Sequence, residues 1–300
     1  MKLLSNKLLQ LHCIILIWGF TPVIGKYISL QATDLVWYRL LIASISLFIY
    51  IRYKKISLKP DPKQLGIILL MGVIVGLHWF CFYHAIKVSN VAITLAGFST
   101  MTVFASLLQP LLLKQKFFWP DLIYGVFILV GLTIILNFEK FYADGLLFGI
   151  LAAFTGAIFG VYNGKLIQHH EASTITFFEF AGAFVVLSLM KLLTDEGSFL
   201  VPLSTSDLIA LLILSIVCTT VAFTWSIQIL KYFTPFTVII TNNLEPLYGI
   251  LFSILLFGAS EIMSFEFYIG TTIILLSVFT YPVIKRKFSK EPMTPFVEQP

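Results

Sequence analysis

The residue with the most chemistry to offer is a glutamate set in an apolar run, Leu244-Glu245-Pro246. Thr234, Thr237, Thr241, Glu245 and Tyr248 recur at steps of 3, 4, 4 and 3, the spacing that puts side chains on one face of a helix. A carboxylate midway along a membrane-spanning helix costs roughly 2.5 to 3.5 kcal/mol on insertion scales, and by default it marks an ion or solute pathway. Glu245 is therefore the candidate coupling residue, with protons as the candidate coupling ion. The structural alternative is a carboxylate that pairs with a buried donor beside a helix kinked at Pro246. Thr241 and Asn242 are candidate solute ligands of the same stretch, and Asn243 can bond a solute or a neighbouring helix.

A second polar stripe, Ser99, Thr102, Ser106 and Gln109, steps by 3, 4 and 3, which makes Ser99 and Thr102 candidate solute contacts. Hydroxyls in such stripes can equally bond back to their own helix. Trp79 and Tyr83 share an i, i+4 face, and so do Thr224 and Gln228 with Trp225 beside them. An aromatic wall opposite a polar wall would suit amphipathic solutes. His78 adds a group that can respond to protons, although a lone histidine is more often a hydrogen-bonded core residue. Arg39 lies five residues inside its apolar run, close enough to snorkel to the interface, so an anchor is expected, and Glu179 has the same ambiguity. Gly156, Gly160 and Gly164, continued by Ala152, form a small-residue stripe for close helix packing. His169-His170-Glu171 lacks the i, i+4 spacing of a zinc helix, and no P-loop pattern occurs. Neither a metal nor another cofactor is expected, and ATP-driven chemistry is disfavoured.

The elements that must carry these residues follow from composition. Hydrophobic residues make up 58% of the chain and charged residues only 12%, against about 25% charged in soluble domains. An all-α integral membrane protein is the consequence. Apolar runs predict ten spans near 8–28, 34–53, 64–84, 90–113, 120–137, 144–168, 173–193, 207–230, 235–258 and 266–285, with a disordered polar tail over 289–300. With the N-terminus cytoplasmic, fifteen of the twenty Lys and Arg fall in inner segments. Lys26, Lys87, Lys140 and Lys191 fall in outer ones, and Arg39 lies within the membrane. That bias places both termini in the cytoplasm, in the inner or plasma membrane of the cell. The basic excess is thus topological and implies no nucleic-acid partner. Cys13, Cys81 and Cys218 lie in apolar runs without metal or disulfide spacing. Sliding the chain by 145 residues lays Ser89 to Gly125 on Thr234 to Gly270, and Trp79 and Tyr83 on Thr224 and Gln228. Two repeats of five spans, 8–137 and 144–285, must then run in opposite orientations, a plan that puts substrate sites near the midplane between halves.

The chain resembles the EamA-type family of the drug/metabolite transporter superfamily. The resemblance rests on Trp18-Gly19 with Lys26, on Trp37-Tyr38-Arg39-Leu40-Leu41-Ile42-Ala43, on the Ala85 to Ala92 link, on Leu244-Glu245-Pro246 and on Gly270. It implies ten helices in two inverted five-helix repeats, a central cavity, and export or exchange of amino acids, metabolites or related amphipathic solutes. The first half departs from the pattern: Thr100-Met101 and Lys116 stand where such repeats often carry a proline in the fourth span and a glutamate after it. The expected activity is secondary transport by alternating access, with a small solute and the bilayer as partners, and no enzymatic step. The competing class, a polytopic enzyme acting on a lipid-linked substrate, would cluster Asp, Glu, His or Arg at one membrane face. Here the loop charges are scattered.

Overall fold

The computed structural model describes residues 6–138, 142–194 and 200–288, so the tail expected at 289–300 lies outside the described residues. Among the described residues every regular element is helical. They are α1 (Lys7–Gly19), α2 (Thr21–Tyr27), α3 (Ala32–Lys54), α4 (Pro62–Val88), α5 (Val91–Phe98), α6 (Met101–Leu112) and α7 (Trp119–Phe138), followed by α8 (Ala143–Leu166), α9 (Ala172–Thr194), α10 (Thr205–Ser215), α11 (Ala222–Ile229), α12 (Pro235–Asn242), α13 (Leu244–Phe257) and α14 (Phe265–Phe288). With consecutive helices joined, eight stretches among the described residues are long and apolar enough to cross a membrane. These are Lys7–Tyr27, Ala32–Lys54, Pro62–Val88, Val91–Leu112, Ala143–Leu166, Ala172–Leu193, Thr205–Ile229 and Pro235–Glu261. Two shorter apolar segments, Leu122–Ile135 in α7 and Phe265–Ser277 in α14, fall below that length. Ile49, Tyr53, Leu193, Leu255 and Leu256 stand on the outside of the bundle, an apolar exterior that only lipid can solvate.

Four of the long stretches are broken or bulged, and the sequence supplies each cause. Pro22 has no N–H for the carbonyl of Trp18, and the Thr21 hydroxyl donates to that carbonyl instead at 2.6 Å, at the joint between α1 and α2. Pro246 removes the same bond from Asn242 at the α12–α13 joint. Between α5 and α6 no proline is present. There Ser99 and Thr100 donate their hydroxyls to Leu95 O (2.9 Å) and Gly97 O (2.7 Å), the back-bonding that bends helices. Between α10 and α11 a π-helical turn, Ile216–Val221, carries Thr219 and Thr220, whose hydroxyls bond the carbonyls five residues back at 2.7 and 3.1 Å.

Helix α4 packs against both α8 and α9, and α7 packs on α14. Gly131 and Gly270 make the second contact possible, because a Cβ on either would lie 2.6 or 2.5 Å from the other's carbonyl oxygen. The stripe of Gly156, Gly160 and Gly164 lies against His78, Met101, Ile239 and Pro235, so its small residues admit α12 and the side chains at the centre.

Candidate solute cavity

Broken helices converge on a central cavity of about 800 Å³, its open mouth included. Water-sized centres fit within about 80 Å³ of it, against the roughly 10–15 Å³ that a single water needs on that measure. Trp18, Arg39, His78, Trp79, Tyr83, Phe159, Asn163, Phe223, Asn242 and Glu245 are among its walls. Arg39, on α3, is only 3% exposed. Its Nε donates to Thr219 Oγ1 at 2.6 Å and its Nη1 to Tyr83 Oη at 2.9 Å, with the guanidinium 4.1 Å from the Trp79 ring centroid. The expectation of a snorkelling anchor is therefore corrected. The π turn presents Thr219 as an acceptor, and Trp79 presents its negative face, so the charge turns inward instead of reaching for the interface. Gly25 leaves room for Tyr83, since a Cβ there would come within 2.2 Å of its ring.

Glu245 is 4% exposed and stands in the first turn of α13, where free backbone N–H groups favour a carboxylate. Glu245 and Arg39 face the same cavity, yet the two ion pairs among the described residues, Lys26 with Glu261 and Lys191 with Asp34, include neither of them. Opposite charges thus attract across the cavity without closing on each other. The joints that frame it, at Asn243 and at Ser99-Thr100, come from corresponding stretches of the two halves, and Asn243 Nδ2 donates to Thr102 Oγ1 at 2.8 Å between them.

The EamA-like transporter family matches residues 7–137 and 143–281, one match on each half. The chain belongs to the EamA-like transporter family. A solved structure titled "Crystal structure of protein" is similar over 95% of this chain and 99% of its own, with a TM-score of 0.71 and 16% identity. At that identity it speaks for the fold alone. No curated protein sequence matches the chain.

Within this EamA-like transporter the candidate residues divide. Trp79, Tyr83, His78, Asn242 and Glu245 meet at the cavity. The ring of His78 is also a packed core group, since its Nδ1 lies 2.8 Å from Ala152 O and so carries the proton. Ser99, Thr102 and Thr241 are spent elsewhere. Ser99 and Thr241 donate to carbonyls of their own helices, and Thr102 accepts from Asn243. Gln109 Oε1, from the same stripe as Thr102, accepts from Phe236 N at 2.7 Å and caps α12. Thr224, Trp225 and Gln228 do not line the cavity, and Gln228 is exposed. Their helix turns Phe223, Ser226, Ile227 and Leu230 inward instead. Adjacent residues differ by about 100° around a helix, so an i, i+4 pair one position off faces elsewhere. Spacing alone does not set that rotation. Asn163 was missed, although an amide one residue before Gly164 in an apolar helix was a legible signal.

The two ends of the bundle differ. At one, Glu261 holds Lys26 and accepts from Val91 N and Ala92 N at the start of α5 (3.4 and 3.2 Å). Asp207 accepts from Ser29 N and Oγ at 2.9 and 2.6 Å, Lys191 pairs with Asp34, and Lys87 donates to Ile28 O. The cavity lining reaches the other end, at Leu230 and Asn163. Ties there include His170 with Gln64 at 2.8 Å and Lys7 over the Tyr232 ring.

Proposed function

We propose that this protein is a secondary transporter that exports or exchanges small amphipathic zwitterions, amino acids being the type case. It would do so by alternating access of two inverted five-helix repeats. The observation that carries the reading is the unpaired placement of Arg39 and Glu245 on one cavity. A solute carboxylate takes the guanidinium donors that Thr219 and Tyr83 leave over. Its ammonium faces Glu245, with Asn242 on the same cavity. Its apolar part lies on Trp79 and the phenylalanines around it.

Glu245 can neutralise a proton or an ammonium but not both, and this exclusivity supplies the coupling. The basic bias supports cytoplasmic termini and ten crossings, with α7 and α14 as the fifth and tenth. The tied end, which holds Lys26, Lys87 and Lys191, is then the outer end, and the cavity lies toward the cytoplasm.

Binding measured by calorimetry on the purified protein tests this with three ligands: an aromatic amino acid, its methyl ester and its N-acetyl derivative. The zwitterion should bind at least about tenfold more tightly than either analogue, ~1.4 kcal/mol. Equal affinity for all three would remove Arg39 and Glu245 from recognition.

A further inference from the structure

Nine buried side-chain oxygens among the described residues make no hydrogen bond, and four of them belong to one group: Glu179 Oε1 and Oε2, Thr176 Oγ1 and Asn163 Oδ1. Thr176 and Glu179 are one turn apart on α9, and Asn163 of α8 is the polar neighbour of the Glu179 carboxyl. Its amide makes no hydrogen bond of normal geometry to either oxygen. Glu179 and Thr176 are 0% exposed and Asn163 is 1% exposed. Other hydroxyls in the spans, such as Thr94, Thr155 and Ser188, bond the carbonyl one turn back. Thr176 does not, and its oxygen remains available. The rotation of α9 is fixed by α4, because a Cβ on Gly72 would lie 2.2 Å from Glu179 O and one on Gly182 would lie 2.2 Å from Leu69 O. The carboxyl therefore stays inside the bundle.

Neighbouring ionisable groups are engaged elsewhere. On α4, His78 meets Ala152 O and Tyr83 meets Arg39. On α3, Arg39 is held by Thr219 and Tyr83, and Asp34 by Lys191 of α9. Helix α11 carries no ionisable side chain. An anion enclosed in this way needs a compensating positive charge.

We propose that Glu179, Thr176 and Asn163 form a binding site for a monovalent cation, a proton or sodium, distinct from Glu245. A single negative charge among oxygen donors suits a small hard monocation. Asn163 also lines the solute cavity, so its amide joins the two sites, and cation occupancy orients a group that the solute meets. The site goes beyond the transport reading, because cation binding requires no solute.

The test uses the Glu245→Gln protein in detergent, which removes the carboxylate that lines the cavity. Its unfolding midpoint is followed against sodium chloride replacing choline chloride at constant pH, and against pH without sodium. A rise of at least about 2 °C in one series is expected, and adding Glu179→Gln should erase it. A rise with sodium identifies sodium. A rise on acidification, with a carboxyl band in the infrared difference spectrum that Glu179→Gln removes, identifies the proton. No response in either series, or a response that survives Glu179→Gln, overturns the proposal. Should Glu179→Gln fail to fold, Asn163→Ala serves instead. It should raise the half-maximal cation concentration roughly tenfold, and an unchanged value would equally overturn the proposal. With no solute present, failure here leaves the transport reading standing, and failure of zwitterion binding leaves this site standing.

Discussion

The α5–α6 and α12–α13 stretches occupy corresponding places in the two halves, and both are broken near the centre of the bundle, yet they present different chemistry. At the α12–α13 joint, Pro246 frees a carbonyl, and Asn242 and Glu245 reach the cavity. At the α5–α6 joint, Ser99 and Thr100 turn their hydroxyls onto their own backbone, and Phe98 and Met101 reach the cavity instead. A break in a membrane helix must satisfy its freed groups. How it does so decides whether polar side chains remain for a solute. Where hydroxyls do the satisfying, the wall is apolar. Where proline makes the break and Asn243 reaches across to Thr102, Asn242 and Glu245 line the cavity. The lesson is that a structural repeat need not be a chemical one.

The largest effect should come from Glu245→Gln. In proteoliposomes it should abolish accumulation driven by a pH gradient, while exchange down the solute's own gradient continues at lowered affinity. Full gradient-driven accumulation in a stable variant would make the two breaks equivalent. A loss of thermal stability without loss of coupling would make Glu245 a packing residue. Phe98→Leu in the other half should act on affinity alone. Removing one aromatic contact of about 0.5 to 1.5 kcal/mol weakens solute binding by a factor of roughly 2 to 13. Coupling, measured as the ratio of gradient-driven to exchange flux, should not change. A changed ratio would show that the first half also takes part in coupling. The smallest effect should be that of Asn243→Leu, which cuts the bond between the joints. Polar contacts between membrane helices average about 0.6 kcal/mol, so the unfolding midpoint should fall by about 2 °C. A fall of ten degrees or more would mean that the tie organises both breaks rather than merely joining them.

Much of this was legible without a structure because each step needed only local pattern. The apolar runs, the proline at position 246, the isolated Glu245 and the pairing of halves are statements about spacing and composition. The aromatic face of Trp79 and Tyr83 was also readable, and both line the cavity. The reading went astray wherever a side chain had a choice of partners. Arg39 sits at snorkelling distance in the sequence, but it points to Thr219, 180 residues away. Thr224 and Gln228 keep the right period on a helix whose rotation is set by its neighbours. Ser99 and Thr241 are polar residues in a polar stripe, and their hydroxyls are consumed one turn away.

The sequence by itself determined that this chain is a bundle of apolar helices in two related halves, that a proline interrupts the helix at position 246, and that Glu245 stands midway along a span, because hydrophobic length, proline and charge act within a single element. Only the tertiary structure decided which polar groups are left over. Arg39 and Glu245 share a cavity without forming an ion pair, and Glu179 is enclosed in the bundle beside Asn163, because burial and hydrogen bonding depend on what the neighbouring helices bring within a few ångströms.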